Sequence, residues 1–390
     1  MVIWCTQLIT TPSVSLYIHT PWCVKKCPYC DFNSHTGEPN ENLQNQYIDT
    51  LLSDFQQQRS LLQNRPLGSV FIGGGTPSLF APNTIKRLLN SIQQYADYDK
   101  NWEVTLEANP GTLDNPHLDG YLAAGVNRLS LGIQSFHDFH LQALGRIHTA
   151  QHAHQAIHTA QTAGFQSINL DLMYALPGQS VTQGLADLHQ AICANVSHIS
   201  WYQLTLEPHT PFFHTPPPSL PDDDTSDQLA QDGYALLQNH HFKAYEVSAY
   251  AQAGKQCRHN LNYWQFGDYL GIGAGAHSKI SLSLEQRVIR FSRPKSPAAY
   301  QQQVTQTTQP TYSFCSTKDL IGEFMMNALR LTKGFDLTLF TRHTGLPQSL
   351  LQPLLNEAIS YQWITLTHHH LTVTPLGQRY LNDLILLFIE

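Results

Sequence analysis

Between Ser15 and about Tyr250 one pattern recurs six times, a short β-rich run followed by an amphipathic helical stretch. The spacing predicts strands over 16–19, 70–73, 103–108, 128–134, 168–174 and 199–204, with helices such as 43–62 and 181–194 between them. Strands joined by helical crossovers pair in parallel, so the chain is expected to build an α/β fold on a parallel sheet, open or curled into a partial barrel. In such folds the chemistry sits at the carboxyl ends of the strands. Four motifs fall there: cysteines after the first strand, glycines after the second, Glu107 ending the third and Gln134 ending the fourth.

Residues 208–227 hold six prolines and the acidic run Asp222 to Asp224, which suits an exposed connector rather than a strand or helix. The alternation resumes with a helix near 228–239 and a strand near 244–249, then a loop rich in Gly and aromatic residues over 257–278. From about Pro297 the pattern turns helical, and 363–374 alternates like a hairpin with His368, His369 and His370 at its tip. We therefore expect a core over 1–296 and a smaller α-rich domain over 297–390 that ends in a β-wing. A winged helix raises DNA binding, but this segment lacks a Lys/Arg cluster and the chain carries a net charge of −7, so no nucleic-acid partner is expected. No apolar run approaches the roughly 18 residues of a membrane span. Residues 1–15 lack the basic start of a secretory signal and the arginines of a transit peptide, which predicts a cytoplasmic protein.

Of seven cysteines, three lie within eight residues, as Cys23-Val-Lys-Lys-Cys27-Pro-Tyr-Cys30, while Cys5, Cys193, Cys257 and Cys315 are scattered. Clustered thiols in a reducing compartment point to a metal rather than to disulfides. Three soft thiolates on one loop can hold three corners of a four-iron cube and leave the fourth iron open to a ligand. The competing readings are a zinc knuckle completed by His19 or His35, and three buried thiols with no metal. Structural zinc usually takes a second ligand pair at short spacing, which the scattered cysteines do not supply.

Gly73-Gly74-Gly75-Thr76-Pro77 follows the second strand and lacks the Gly-Lys-Ser/Thr ending of a nucleotide P-loop. Alone it reads equally well as a tight turn or as a backbone surface for a ligand. Gly271-Ile-Gly273-Ala-Gly275 mimics a dinucleotide fingerprint, but no βαβ unit follows it; close backbone packing is the better reading.

The cysteine motif closely resembles that of radical S-adenosylmethionine (SAM) proteins, and the glycine motif their methionine-binding loop. That resemblance implies a partial (β/α)6 radical SAM barrel, a [4Fe-4S] cluster on Cys23, Cys27 and Cys30, and SAM chelating the open iron, where an electron from the cluster can break its carbon–sulfur bond. Over nearly the whole chain, Ser15-Leu-Tyr-Ile-His-Thr-Pro-Trp-Cys, Thr105-Leu-Glu-Ala-Asn-Pro-Gly, Leu131-Gly-Ile-Gln-Ser-Phe, Leu144-Gly-Arg-Ile-His, Asp171-Leu-Met-Tyr-Ala-Leu-Pro-Gly and His259-Asn-Leu-Asn-Tyr-Trp resemble the HemW haem chaperone family, relatives of oxygen-independent coproporphyrinogen III oxidase. Carried over, the resemblance assigns SAM contacts to Tyr17, Gly74, Gly75, Thr76 and Glu107, further SAM-contacting positions to Gln134, Arg146 and Asp171, and the adenine side to Tyr29.

Two departures separate the chain from the oxidase: Phe32 stands where that enzyme has an additional cysteine, and 22 residues precede Cys23 where the oxidase has a longer segment. Both point away from oxidative decarboxylation. The resemblance makes His259 the leading axial ligand for haem iron, with Cys257 as an alternative. The implied function is binding and delivery of haem; the rival is a radical SAM enzyme acting on a porphyrinogen. Implied partners are haem, apo-haemoprotein recipients, membrane-associated ones among them, an electron donor for the cluster, and a second copy in a homodimer.

Overall fold

The structure, a computed structural model, describes Pro12 and residues 14–307 and 310–389. Cys5 and most of the segment searched for a leader lie outside the described residues. One sheet of 12 strands dominates the core. In chain order its strands are β1 (Val14–Thr20), β2 (Leu67–Gly74), β3 (Tyr98–Ala108), β4 (Arg128–Gln134), β5 (Ile168–Tyr174), β6 (His198–Gln203), β7 (Lys243–Ala244), β8 (Ala249–Ala251), β9 (Asp268–Ile272), β10 (His277–Leu282), β11 (Arg287–Ser292) and β12 (Ser313–Phe314). They lie side by side as β12-β11-β10-β9-β1-β2-β3-β4-β5-β6-β8-β7. The run from β9 through β1 to β6 is parallel, and the strands flanking it are antiparallel.

Alternation along each parallel strand separates two faces. Val14, Leu16 and Ile18, with Val70, Ile72, Val104, Leu106, Leu129, Leu131, Leu170 and Leu172, join one apolar core with helix residues such as Leu51, Phe55, Ile85 and Leu88. The alternate residues face the barrel interior. Tyr17, Phe71, Thr105 and Arg128 stand in register across β1 to β4, and Asn169 and His198 across β5 and β6. The helices begin where short polar side chains satisfy their first amides: Asn40 caps Glu41–Gln58, and Ser180 with Gln183 forms a capping box on Val181–Cys193.

Three expectations are corrected. The connector over 208–227 is not devoid of structure: Pro211–His214 is a short helix, and the acidic run starts the helix Asp223–Asn239, with Asp222 as its cap. The strand expected near 244–249 is two short strands joined by a turn, β7 and β8. The segment 257–278 is not a loop but a helix, Arg258–Trp264, followed by β9 and the start of β10. Its glycines are demanded by packing, since a Cβ at Gly271 would meet the His277 carbonyl at 2.1 Å and one at Gly273 the His19 carbonyl at 2.4 Å.

The C-terminal region packs helices Thr317–Ala328, Thr338–Thr344 and Gln352–Ser360 around Phe324, Phe340 and Leu355, beside a three-stranded antiparallel sheet. His368 and His369, both at positive φ, make the two-residue turn of the wing, while His370 belongs to the returning strand. This second core reaches back to Phe266, Leu261 and Trp264, so the Arg258–Trp264 helix lies between the barrel and the C-terminal region. No helix among the described residues is long and apolar enough to cross a membrane.

Candidate functional site

The carboxyl ends of the parallel strands open into a cavity of about 510 Å³. Cys23, Cys27 and Cys30 line it together with Tyr29, Gly74, Gly75, Thr76, Glu107, Gln134, Arg146 and Asp171. The cysteine loop leaves β1 and is tied to the glycine loop by two backbone bonds, Gly75 N to Thr20 O and Thr76 N to Trp22 O, each 2.7 Å. Gly75 is glycine because a Cβ there would sit 2.3 Å from the Trp22 carbonyl oxygen. On its far side the loop receives a bond from Phe212 N to Pro28 O at 3.0 Å, so the proline-rich connector braces it.

The strand-end residues are linked to one another. Gly74, at φ +115°, donates its amide to Glu107 Oε2 at 3.1 Å. Withdrawal from water and the nearby Asp171 push the Glu107 carboxyl up to about 8, and burial raises Asp171 as well. Arg146 donates to Gly132 O at 2.8 Å and reaches Cys27 Sγ at 3.7 Å. Gln134, held at φ +68° by an irregularity at the end of β4, accepts from Tyr202 Oη at 2.9 Å.

Two of the expected residues, Tyr17 and His259, are not among those that line this cavity. Tyr17 is turned into the barrel, its ring stacked against Phe71 and His259 at centroid distances of 6.3 and 6.2 Å and its hydroxyl 3.0 Å from His19 Nδ1. Tyr17 is thus not among the residues that line the cavity, although Glu107, which does line it, is near enough to act electrostatically on its hydroxyl. His259 is 4% exposed and stacks on Phe71 at 4.8 Å, at the amino end of the barrel. Burial and Arg128 lower its imidazole to about 3, which leaves it neutral, and Nδ1 has no hydrogen-bond partner. Cys257 is fully buried, and burial pushes its thiol up to about 12.

The structure also brings in residues that sequence reasoning missed. Asn109 donates to Thr76 Oγ1 at 2.9 Å and accepts from Arg146, and Thr76 Oγ1 lies 3.2 Å from Cys23 Sγ. Asn109 stands two residues beyond Glu107 in the quoted Thr105–Gly111 run, which was the available signal. Tyr202 follows Ser200 at strand spacing on β6, and both line the cavity.

The donor set fits a cluster. Three thiols share one cavity, one beside a guanidinium and one beside a hydroxyl that can stabilise thiolate sulfur. The fourth ligands of the zinc reading are engaged elsewhere: His19 with Tyr17 and with Asn33 O at 2.7 Å, and His35 Nε2 with Lys295 O at 3.2 Å.

Residues 17–188 match the model of the radical SAM superfamily, and 315–380 that of the HemN C-terminal domain. A protein of Haemophilus influenzae named heme chaperone HemW is 44% identical over 389 residues, covering 97% of this chain and 98% of its own. The chain belongs to the HemW family. Its Escherichia coli relative of the same name is 42% identical over 98% of this chain and all of its own length. In three dimensions the fold is that of E. coli coproporphyrinogen III oxidase (HemN), a radical SAM enzyme, with a TM-score of 0.80 at 21% identity over 97% of this chain and 90% of that one. Membership of the HemW family accounts for the radical SAM barrel and the HemN-type C-terminal region in one chain.

Proposed function

We propose that the protein is a haem chaperone that holds a [4Fe-4S] cluster on Cys23, Cys27 and Cys30, binds SAM in the cavity beside it, and passes haem to apo-haemoproteins. The observation that carries this reading is the 42–44% identity, over almost the full length of both chains, with proteins named heme chaperone HemW. A cluster at the three thiols supplies an open iron for SAM and an electron for its reductive cleavage. Around it, Gly74, Gly75 and Thr76 take the methionyl end, Glu107 and Asp171 offer acceptors to hydroxyls, Gln134 and Arg146 set the cavity wall, Tyr29 flanks the adenine, and Tyr17 adds a contact from beside Glu107.

For haem, the neutral imidazole of His259 with its unpartnered Nδ1 has the protonation state that an axial ligand needs. Because the ring is 4% exposed, the Arg258–Trp264 helix must lift from the barrel floor for iron to reach it. Phe32, 58% exposed on the cavity rim, occupies the position at which the oxidase has its additional cysteine, which supports delivery of haem over porphyrinogen decarboxylation.

The test is anaerobic reconstitution of the cluster, followed by haem and coproporphyrinogen III in separate incubations with SAM and reductant. Stoichiometric haem binding, transfer to an apo-haemoprotein and no decarboxylation are expected. Steady decarboxylation with release of 5′-deoxyadenosine would replace the chaperone by an enzyme.

A further inference from the structure

Below the cavity, four buried residues form a hydrogen-bonded chain whose donors all point toward the half-buried Asp171 in its wall. Asn169 fixes its direction: Nδ2 donates to Asp171 Oδ1 and to Ser130 Oγ, each at 2.8 Å, so Oδ1 faces the other way and accepts. That acceptor receives His198 Nδ1 at 2.6 Å and Ser200 Oγ at 3.1 Å, which places the His198 proton on Nδ1 and leaves Nε2 as an acceptor. Nε2 lies 2.9 Å from Tyr245 Oη, which must therefore donate, and Tyr245 Oη accepts the amide of Cys257 at 3.4 Å. The run Cys257 N–H, Tyr245 O–H, His198 N–H, Asn169 N–H, Asp171 carboxylate thus crosses the barrel from the foot of the Arg258–Trp264 helix to the cavity. Reversing any member sets two donors or two acceptors against each other in a dry interior, where an unmade bond is expensive. His198 and Cys257 are fully buried, and Asn169 and Tyr245 nearly so.

We propose that His198 and Tyr245 are positioning residues of the SAM site, holding the Asn169 amide in the one orientation that presents a donor to Asp171. The inference rests on the reading of the cavity as a SAM site. Neither residue touches the cavity; each acts through Asn169. With the chain intact, Asp171 receives Asn169 on one oxygen and Ser130, at 3.0 Å, on the other, bonds that favour its ionised form and fix the carboxyl group in the cavity wall. The charged and titratable groups that face it are Glu107 from β3, Arg128 from β4 and Tyr202 from β6. Loss of the Asn169 bond disfavours the ionised form, so the fall of SAM affinity on the acid side moves to higher pH.

The experiment measures SAM affinity of the cluster-reconstituted full chain by calorimetry across pH, with iron content as a control. His198→Phe removes the donor and is expected to raise Kd about tenfold and to shift the acid limb upward. His198→Gln, whose amide can both donate and accept, is expected to recover most of the affinity and the wild-type profile. Tyr245→Phe deletes one hydroxyl and is expected to raise Kd roughly threefold; it carries the test alone if His198→Phe does not fold. Wild-type affinity and pH profile in Tyr245→Phe and His198→Phe, or equal weakening in His198→Phe and His198→Gln, would overturn the inference alone. Failure of the wild type to bind SAM would overturn the reading of the cavity and the inference with it.

Discussion

Gly75→Ala tests the junction on which the cysteine geometry depends. A methyl group at position 75 would lie 2.3 Å from Trp22 O, 2.7 Å from Trp22 C and 3.0 Å from Pro21 C. Carbon contacts are ordinarily about 3.5 Å, so the backbone carrying Cys23 would have to retreat by roughly 1 Å. Retreat stretches the two 2.7 Å bonds that tie the loops together, Gly75 N to Thr20 O and Thr76 N to Trp22 O. Overpacking of this kind and weakening of two buried hydrogen bonds together cost about 3–5 kcal/mol. The displaced Trp22 is adjacent to the first thiol, so the variant should also take up much less iron and sulfide than the wild type after anaerobic reconstitution. Gly68→Ala is the control at the start of β2, the strand that Gly75 follows: its Cβ meets nothing nearer than 3.6 Å, and both stability and iron uptake should survive. Iron, sulfide and melting temperature equal to wild type in Gly75→Ala would show that the loops are not in the contact described, and the argument from the glycine would fail.

Alanine at Cys23, Cys27 or Cys30 should abolish the brown four-iron absorbance, whereas Cys193→Ala, at an exposed thiol far along the chain, should keep it; iron and sulfide analysis decides. The Glu107 carboxyl, raised from 4.5 to about 8, gives the folded apo-protein a proton that the unfolded chain has lost. Its stabilising contribution is therefore present at low pH, declines as pH rises above about 4.5 and is gone above about 8, so Glu107→Gln should lose less melting temperature than wild type on going from about pH 5 to about pH 9. Equal losses would refute the shift. His259→Ala removes a buried ring stacked against both Tyr17 and Phe71, and should destabilise the apo-protein by about 2–4 kcal/mol in denaturant melts. The same substitution should shift the haem absorption bands and weaken haem binding; unchanged spectra would move the ligand to Cys257 or another histidine.

How much of this was legible depended on the range over which each feature is determined. The strands over 128–134 and 168–174 are written in local alternation bounded by turn residues, and both appear with those limits. The cysteine and glycine motifs were legible for the same reason, since ligand spacing and backbone clearance are properties of a few consecutive residues. Depth within the barrel is not. Tyr17 alternates inward in the sequence as clearly as Thr105 or Glu107 does, but whether an inward side chain lines the cavity or lies beneath it depends on strand stagger and on what closes the floor. The strand Asp268–Ile272 was missed because Gly271 weakens the β signal, whereas the glycine is there to let the His277 backbone approach. The helix Arg258–Trp264 escaped because its amino end is capped from another element: Glu103 Oε1 on β3 accepts the amides of Arg258 and His259 at 3.0 and 3.3 Å.

That cap bears on how haem could reach His259. The helix is held by Glu103 at its start, by Asn262 Nδ2 to Asp268 O at 2.8 Å, and by Leu261 and Trp264 in the C-terminal core, where Arg330 lies 5.4 Å from the Trp264 ring. Exposing Nδ1 means breaking the Glu103 cap and separating Trp264 from the C-terminal region, and it disturbs the Cys257 amide at which the hydrogen-bonded chain to Asp171 begins. The three thiols and the motif histidine lie at opposite ends of one barrel, so no direct contact between haem iron at His259 and a cluster at the cysteines is available in this conformation. What connects the two ends is the polar interior of the barrel. A haem-loaded state that uses His259 must therefore differ from this one in the floor helix and its contacts with the C-terminal region, while the carboxyl ends of β1 to β6 keep their own bracing from the glycine loop and the connector.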